Sequence, residues 1–147
     1  DAAAMARAIE ALNKLRMNDP ERLGDWFGRF ISLYRSAGVA LDPDPPRSRI
    51  EIEFDLQQGA VLQRHPWTRA AWRRSTERKT IGKLYVAGQI HALPLADART
   101  LAATETLDGE TYVGLSAQGQ SLVLDLLAEG QYQLHNDGFD TGEDDDA

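Results

Sequence analysis

The residue types best suited to chemistry are too thinly spread in this chain to build a recognisable catalytic centre. Three histidines are present, His65, His91 and His135; His135-Asn136-Asp137 alone has His-x-Asp spacing, no histidine follows it to complete a triad, and no His-Glu-x-x-His occurs. A metal centre needs such spacing, because its ligands must converge on one point. His65 precedes Pro66 in a turn, His91 shares a short strand with Ile90 and Leu93, and His135 flanks an acidic tail. All three read as packing or surface residues. The absence of cysteine removes thiolate nucleophiles, disulfides and Cys-based zinc or iron–sulfur sites. Gly109, Gly114 and Gly119 follow no strong strand and precede no Lys-Ser/Thr pair, so they make no phosphate loop, and no serine sits in a nucleophile elbow. Carboxylates are plentiful but scattered, so none is assigned as acid or base. No catalytic, cofactor-binding or metal-ligating residue is assigned.

The one concentration of a single chemistry is basic. Arg64, Arg69, Arg73, Arg74, Arg78, Lys79 and Lys83 face one acid, Glu77, in a short span. Arg74 to Lys79 reads as a hairpin tip, so Arg73, Arg74, Arg78 and Lys79 form a candidate basic wing able to touch phosphates. The alternative is a solvated polar loop. Against sequence-specific DNA readout, the strongest helix of this half, Ser116 to Glu129, contains no Arg or Lys, and a recognition helix needs polar and basic side chains in the groove. Most of the net charge of −7 sits in the tail, where Asp137, Asp140, Glu143, Asp144, Asp145 and Asp146 have no base among them. Residues 137–147 read as a disordered acidic end.

The elements that position these groups are set out by periodicity. Met5, Ala8, Ile9, Leu12 and Leu15 recur at helical spacing over 3–17. Asp19-Pro20 ends that helix and opens the next. The second helix carries Leu23, Trp26, Phe27, Phe30, Ile31 and Tyr34 as one aromatic stripe, with Arg29 and Ser32 expected to be exposed. Two readings stand for that stripe, intrachain core or a homodimer interface. The first helix is poor in large side chains, and Asp42-Pro43-Asp44-Pro45-Pro46 is a stiff linker expected to hold the helices away from the domain beyond it. Both points favour the interface.

Beyond the linker, Ser48 to Gly59 alternates Ile50, Ile52, Phe54 and Leu56 as a strand would, yet Ser48 and Glu51 make a capping box. The caps incline it to helix. Ala60-Val61-Leu62 reads as a strand, and Arg69 to Arg73 as the next. Leu84 to Ala87 and Ile90 to Leu93 form a hairpin with Gly88-Gln89 as its turn. A short helix from Leu95, the helix opened by Ser116 and closed by Gly130, and a strand at Tyr132 and Leu134 complete a winged-helix outline.

The runs Asp25-Trp26-Phe27-Gly28-Arg29-Phe30, Gln58 to Trp72, Leu84-Tyr85-Val86-Ala87-Gly88 and Leu126 to Tyr132 resemble the C-terminal part of the bacterial JmjC-type cupin oxygenases. The resemblance covers roughly residues 20–135 and rests on patterned hydrophobics and glycines. It implies an N-terminal cupin barrel holding iron and 2-oxoglutarate, a helical dimerisation region and a winged-helix-like domain. As a family such proteins hydroxylate an arginine of a large-subunit ribosomal protein. Their iron is held by a His-x-Asp…His triad, which this sequence lacks, so no catalytic residue carries over.

The expectation is an α+β chain. Residues 1–41 form a helical dimerisation segment, 42–46 a proline-rich linker, and 47–136 a winged-helix-like domain with a small antiparallel sheet. The start at Asp1 within an Ala-rich helix looks like a fragment of a longer chain. The expected role is non-catalytic: dimerisation and scaffolding of a cytoplasmic oxygenase. Its expected partners are a second copy, the missing barrel and, through the parent, a ribosomal protein. No membrane partner is expected. The alternative is a free-standing winged-helix protein contacting nucleic acid or the ribosome.

Overall fold

In the computed structural model, residues 1–33 and 43–136 are described, apart from the side chains of 12–18. Among them are six helices and six strands. Helix α1 (Ala2–Asn18) and helix α2 (Pro20–Leu33) come first, and α3 (Arg49–Gln57) comes after the prolines. Next come β1 (Val61–Arg64), β2 (Ala70–Arg74), β3 (Ile81–Val86) and β4 (Gln89–Pro94). Then α4 (Leu95–Ala103), β5 (Thr106–Leu107), α5 (Gly109–Gly114), α6 (Ala117–Ala128) and β6 (Tyr132–His135) complete the order. The fold is α+β with a winged-helix domain.

Local signals explain most boundaries. Asp19 accepts from the N–H groups of Glu21 and Arg22 at 3.1 and 3.2 Å and so caps α2. Ser48 caps α3, accepting from Glu51 N, and the alternating run resolves as a helix. Its face carries buried Ile52 and Leu56, while Ile50 and Phe54 point to solvent. Ser116 caps α6, which buries Leu122, Val123, Leu126 and Leu127. The β3–β4 turn is Ala87-Gly88, one residue earlier than expected, with φ of 49° and 83°. Both central residues are left-handed, as a two-residue hairpin turn requires. Helix α5 and strand β5 carry too few apolar residues to show in the periodicity.

The strands form two antiparallel sheets, ordered β5-β1-β6 and β2-β3-β4. A single core joins them. Leu62, Leu107 and Tyr132 from the first sheet pack with Leu84, Val86 and Leu93 from the second, and with Leu101, Tyr112 and the α6 stripe. Strand alternation splits the second sheet into two faces. Trp72, Leu84, Val86 and Leu93 face this core, whereas Arg73, Lys83, Tyr85 and Ile90 occupy the opposite face.

That opposite face receives α2. The prolines at 43, 45 and 46 therefore do not hold α2 away from the second half of the chain, as the linker composition suggested. Helix α2 lies across β2, β3 and β4, with α1 beside it. The linker leads only from α2 to α3 and leaves the chain free to fold back.

Candidate interaction surface on helix α2

The side of α2 that meets the sheet is small and polar. Glu21, Gly24, Asp25, Gly28 and Ser32 recur every three or four residues and so share one helical face. The two glycines permit a close approach: a Cβ on Gly28 would lie 2.5 Å from the Tyr85 ring, and one on Gly24 would strike the Arg73 guanidinium. Ser32, 1 % exposed rather than on the surface as expected, accepts from Gly88 N at 2.9 Å. Arg29 is exposed, and its Nε donates to Gly88 O at 3.2 Å.

Charge closes this contact. Glu21 is buried, and its carboxylate meets Lys83 Nζ at 2.7 Å and the Arg73 guanidinium. It also accepts from Thr76 N at 2.7 Å and Thr76 Oγ1 at 2.6 Å. Asp25 accepts from Arg73 at 3.0 Å, from Lys83 at 2.9 Å and from the Tyr85 hydroxyl at 2.8 Å. Arg73 Nε donates to that same hydroxyl at 2.8 Å. Burial alone would raise the pKa of Glu21, but bonds from Lys83, Thr76 and Arg73 outweigh it and hold the carboxyl well below its ordinary range. Burial would likewise lower Lys83, and the two carboxylates reverse that. Burial and the Asp25 contact push the Tyr85 phenol upward.

Arg73 accordingly leaves the candidate wing. Its guanidinium is spent on Glu21, Asp25 and Tyr85, and only Arg74, Arg78 and Lys79 of that group remain exposed at the β2–β3 turn. The sequence carried a usable sign of this docking in Gly24-x-x-x-Gly28 with Glu21, Asp25 and Ser32 on the same face, which the more conspicuous aromatics masked.

With its polar side against the sheet, α2 turns its aromatic side outward. Phe27, Phe30 and Leu33 are 51, 53 and 45 % exposed. Leu23, Trp26 and Ile31 are half-buried. Trp26 stacks on Phe30, with ring centroids 5.4 Å apart and planes 5° from parallel. Met5 and Ile9 of α1 add exposed apolar surface. Tyr34, the last residue of the expected stripe, lies outside the described residues, as does the 137–147 tail. A groove of about 570 Å³ runs along this side, lined by Trp26, Phe30, Leu33, Gly88 and Ile90 with Arg22 and Arg29 at its edge.

The described residues do not fit an iron centre. His65 lies between β1 and β2, His91 on β4 and His135 on β6. No group of three or more His, Asp or Glu side chains among the described residues could hold a metal ion. None of their helices is long and apolar enough to cross a membrane.

A family model described as a ROXA-like winged helix matches residues 14–133. The X-ray structure of Escherichia coli YcfD is similar, with a TM-score of 0.66 and 26% identity over 89% of this chain and 34% of that one. A structure of YcfD described as a ribosomal oxygenase from Escherichia coli gives a TM-score of 0.65 and 27% identity, covering 88% of this chain and 35% of that one. The same oxygenase in complex with cobalt and succinic acid gives the same TM-score, identity and coverage. The chain thus spans about a third of the length of these solved structures. No curated protein sequence matches it.

Proposed function

The chain belongs to the ROXA-like winged-helix family, and on that premise we propose that it is the non-catalytic C-terminal portion of a ribosomal oxygenase, serving to dimerise and brace it. In this reading a JmjC-type cupin barrel elsewhere in the parent protein holds iron and 2-oxoglutarate. The parent hydroxylates an arginine of a large-subunit ribosomal protein in the cytoplasm. The similarity to a ribosomal oxygenase over nine-tenths of this chain supports the association.

The observation that carries the dimer role is the orientation of α2. A helix that faces its own sheet with glycines and charges, and turns Trp26, Phe27 and Phe30 outward, keeps its largest side chains for another surface. A second copy about a two-fold axis would bury Leu23, Trp26, Phe27, Phe30 and Ile31 against their equivalents. Light scattering during size exclusion tests this. The wild type is expected to run as a dimer, and Phe27→Asp with Phe30→Asp as a folded monomer, because neither ring is needed to close the protomer. A wild-type monomer throughout the micromolar range refutes the role.

A second reading is favoured by one observation: Arg74, Arg78 and Lys79 are exposed together at the β2–β3 turn. There the domain would touch nucleic acid through a basic wing. The withdrawal of Arg73 and the base-free α6 weigh against it.

A further inference from the structure

We propose that the outer edge of β4 is a docking site for an extended basic segment of a protein partner, which would add a fourth strand to the β2-β3-β4 sheet. The inference goes beyond a scaffold role and does not depend on dimerisation. It begins with the turn. Ala87-Gly88 is a two-residue connection, so Val86 and Gln89 exchange both backbone hydrogen bonds. Bonded and non-bonded pairs then alternate. Leu84 with His91 and Gly82 with Leu93 are bonded pairs, which leaves the N–H and C=O groups of Ile90 and Ala92 pointing away from β3. Strand β4 ends its sheet, and no described group bonds those four. Within β4 itself three usual guards are missing: Gln89–Pro94 contains no charged residue, its register is unbroken, and its proline stands last.

A groove of about 550 Å³ runs beside this edge, between β4 and Gln118, Ser121 and Asp125 of α6. Two further features select its occupant. His91 Nε2 is buried in the same seam without a hydrogen-bond partner among the described residues. Burial lowers the pKa of His91, against the pull of Glu129 and Asp125, so the imidazole does not neutralise these carboxylates at neutral pH. No Arg or Lys lines the groove. A strand carrying Lys or Arg would satisfy the backbone edge by main-chain bonds and Asp125 by charge, as in β-strand addition. A second copy would instead bring its own Asp125 and Glu129 to the seam, and like charges oppose that pairing.

The test uses a fluorescein-labelled decapeptide alternating valine and lysine, titrated with this chain and followed by anisotropy. A saturable rise is expected. Affinity should fall about tenfold or more for a fully N-methylated peptide, for one with glutamate in place of lysine, and for Ala92→Pro, which deletes an outward N–H and no bond of the β3–β4 ladder. Asp125→Asn should weaken binding about threefold, and amide exchange at Ile90 and Ala92 should slow on binding. Circular dichroism establishes that both variants fold. Failure of the lysine peptide to saturate overturns the proposal, as does equal binding of its N-methylated form, which would mark loose electrostatic contact. Loss of a wild-type dimer in Ala92→Pro by light scattering would assign the edge to a second copy and overturn it too. Since the dimer reading is scored by mass and this one by peptide anisotropy, either fails without the other.

Discussion

Glu21 shows how much of this molecule hangs on a single buried carboxylate. It receives Lys83, Arg73 and Thr76 at once, and it sits where α2 begins. Replacing it with Gln removes one of the two carboxylates that Arg73 and Lys83 share with Asp25, a loss of about 1–3 kcal/mol. Its pH signature has a definite sign. The folded pKa lies below the ordinary 4.5, so the contribution is complete above 4.5 and drains away as pH falls through the folded value. Lys83 is raised above 10.5, so its share is complete below 10.5 and is lost only as pH climbs through the folded value. Urea denaturation against pH should show a plateau at neutrality and an acid limb that Glu21→Gln flattens. Gly28→Ala tests the close approach separately. Its new Cβ meets a Tyr85 ring that is itself 1 % exposed and cannot swing away. A loss of about 1–3 kcal/mol is expected in the same assay.

At the scale of elements, caps and docking contribute differently. Ser116 does two jobs: its Oγ accepts from Gly119 N at 3.2 Å, and it donates to buried Asp97, which also accepts from Ser116 N. Ser48 caps α3 by the same pattern in the open, accepting from Glu51 N at 3.2 Å and donating to Glu51 at 3.1 Å. Ser48→Ala should cost about 1 kcal/mol, whereas Ser116→Ala should cost more, about 1–3 kcal/mol, since Asp97 loses a buried donor. Comparison of urea midpoints at unchanged slope checks both. Tyr112 ties α5 to α3 in a third manner. Its hydroxyl donates to Glu53 at 2.7 Å, and burial together with that carboxylate pushes its pKa up to about 12.

For the whole molecule, the distribution of charge decides which partners are admissible. The exposed bases at the β2–β3 turn number three once Arg73 is withdrawn, and α6 has no base and one acid, Asp125. Mobility-shift assays at moderate salt should give no saturable DNA complex. A micromolar complex weakened by changing Arg74 and Arg78 to Ala would favour the nucleic-acid reading, and its salt slope would count the phosphates. The three surfaces make different demands. The aromatic side of α2 seeks an apolar match, the wing a polyanion and the β4 edge a strand.

Several features were legible in the amino-acid order because their causes are local. Ser48 with Glu51, and Ser116 with Gly119, mark helix starts through side chains that reach only three residues along the chain. The α6 stripe and the β3–β4 hairpin could be read from periodicity, which reports burial on one face or two. The resemblance to oxygenase C-terminal regions likewise rested on contiguous runs. Where α2 docks was decided only in three dimensions. Its aromatic stripe says which side is apolar, but not that Glu21 and Asp25 would find Arg73, Lys83 and Tyr85 from strands about fifty to sixty residues away. Nor could composition tell that the proline-rich segment lets the chain fold back, since a stiff linker limits reach and leaves direction open. The same holds for Arg73, a wing residue by position and a buried ion-pair partner by contact. Position belongs to the chain, whereas the partner of a charge is settled by the fold that brings it an opposite one.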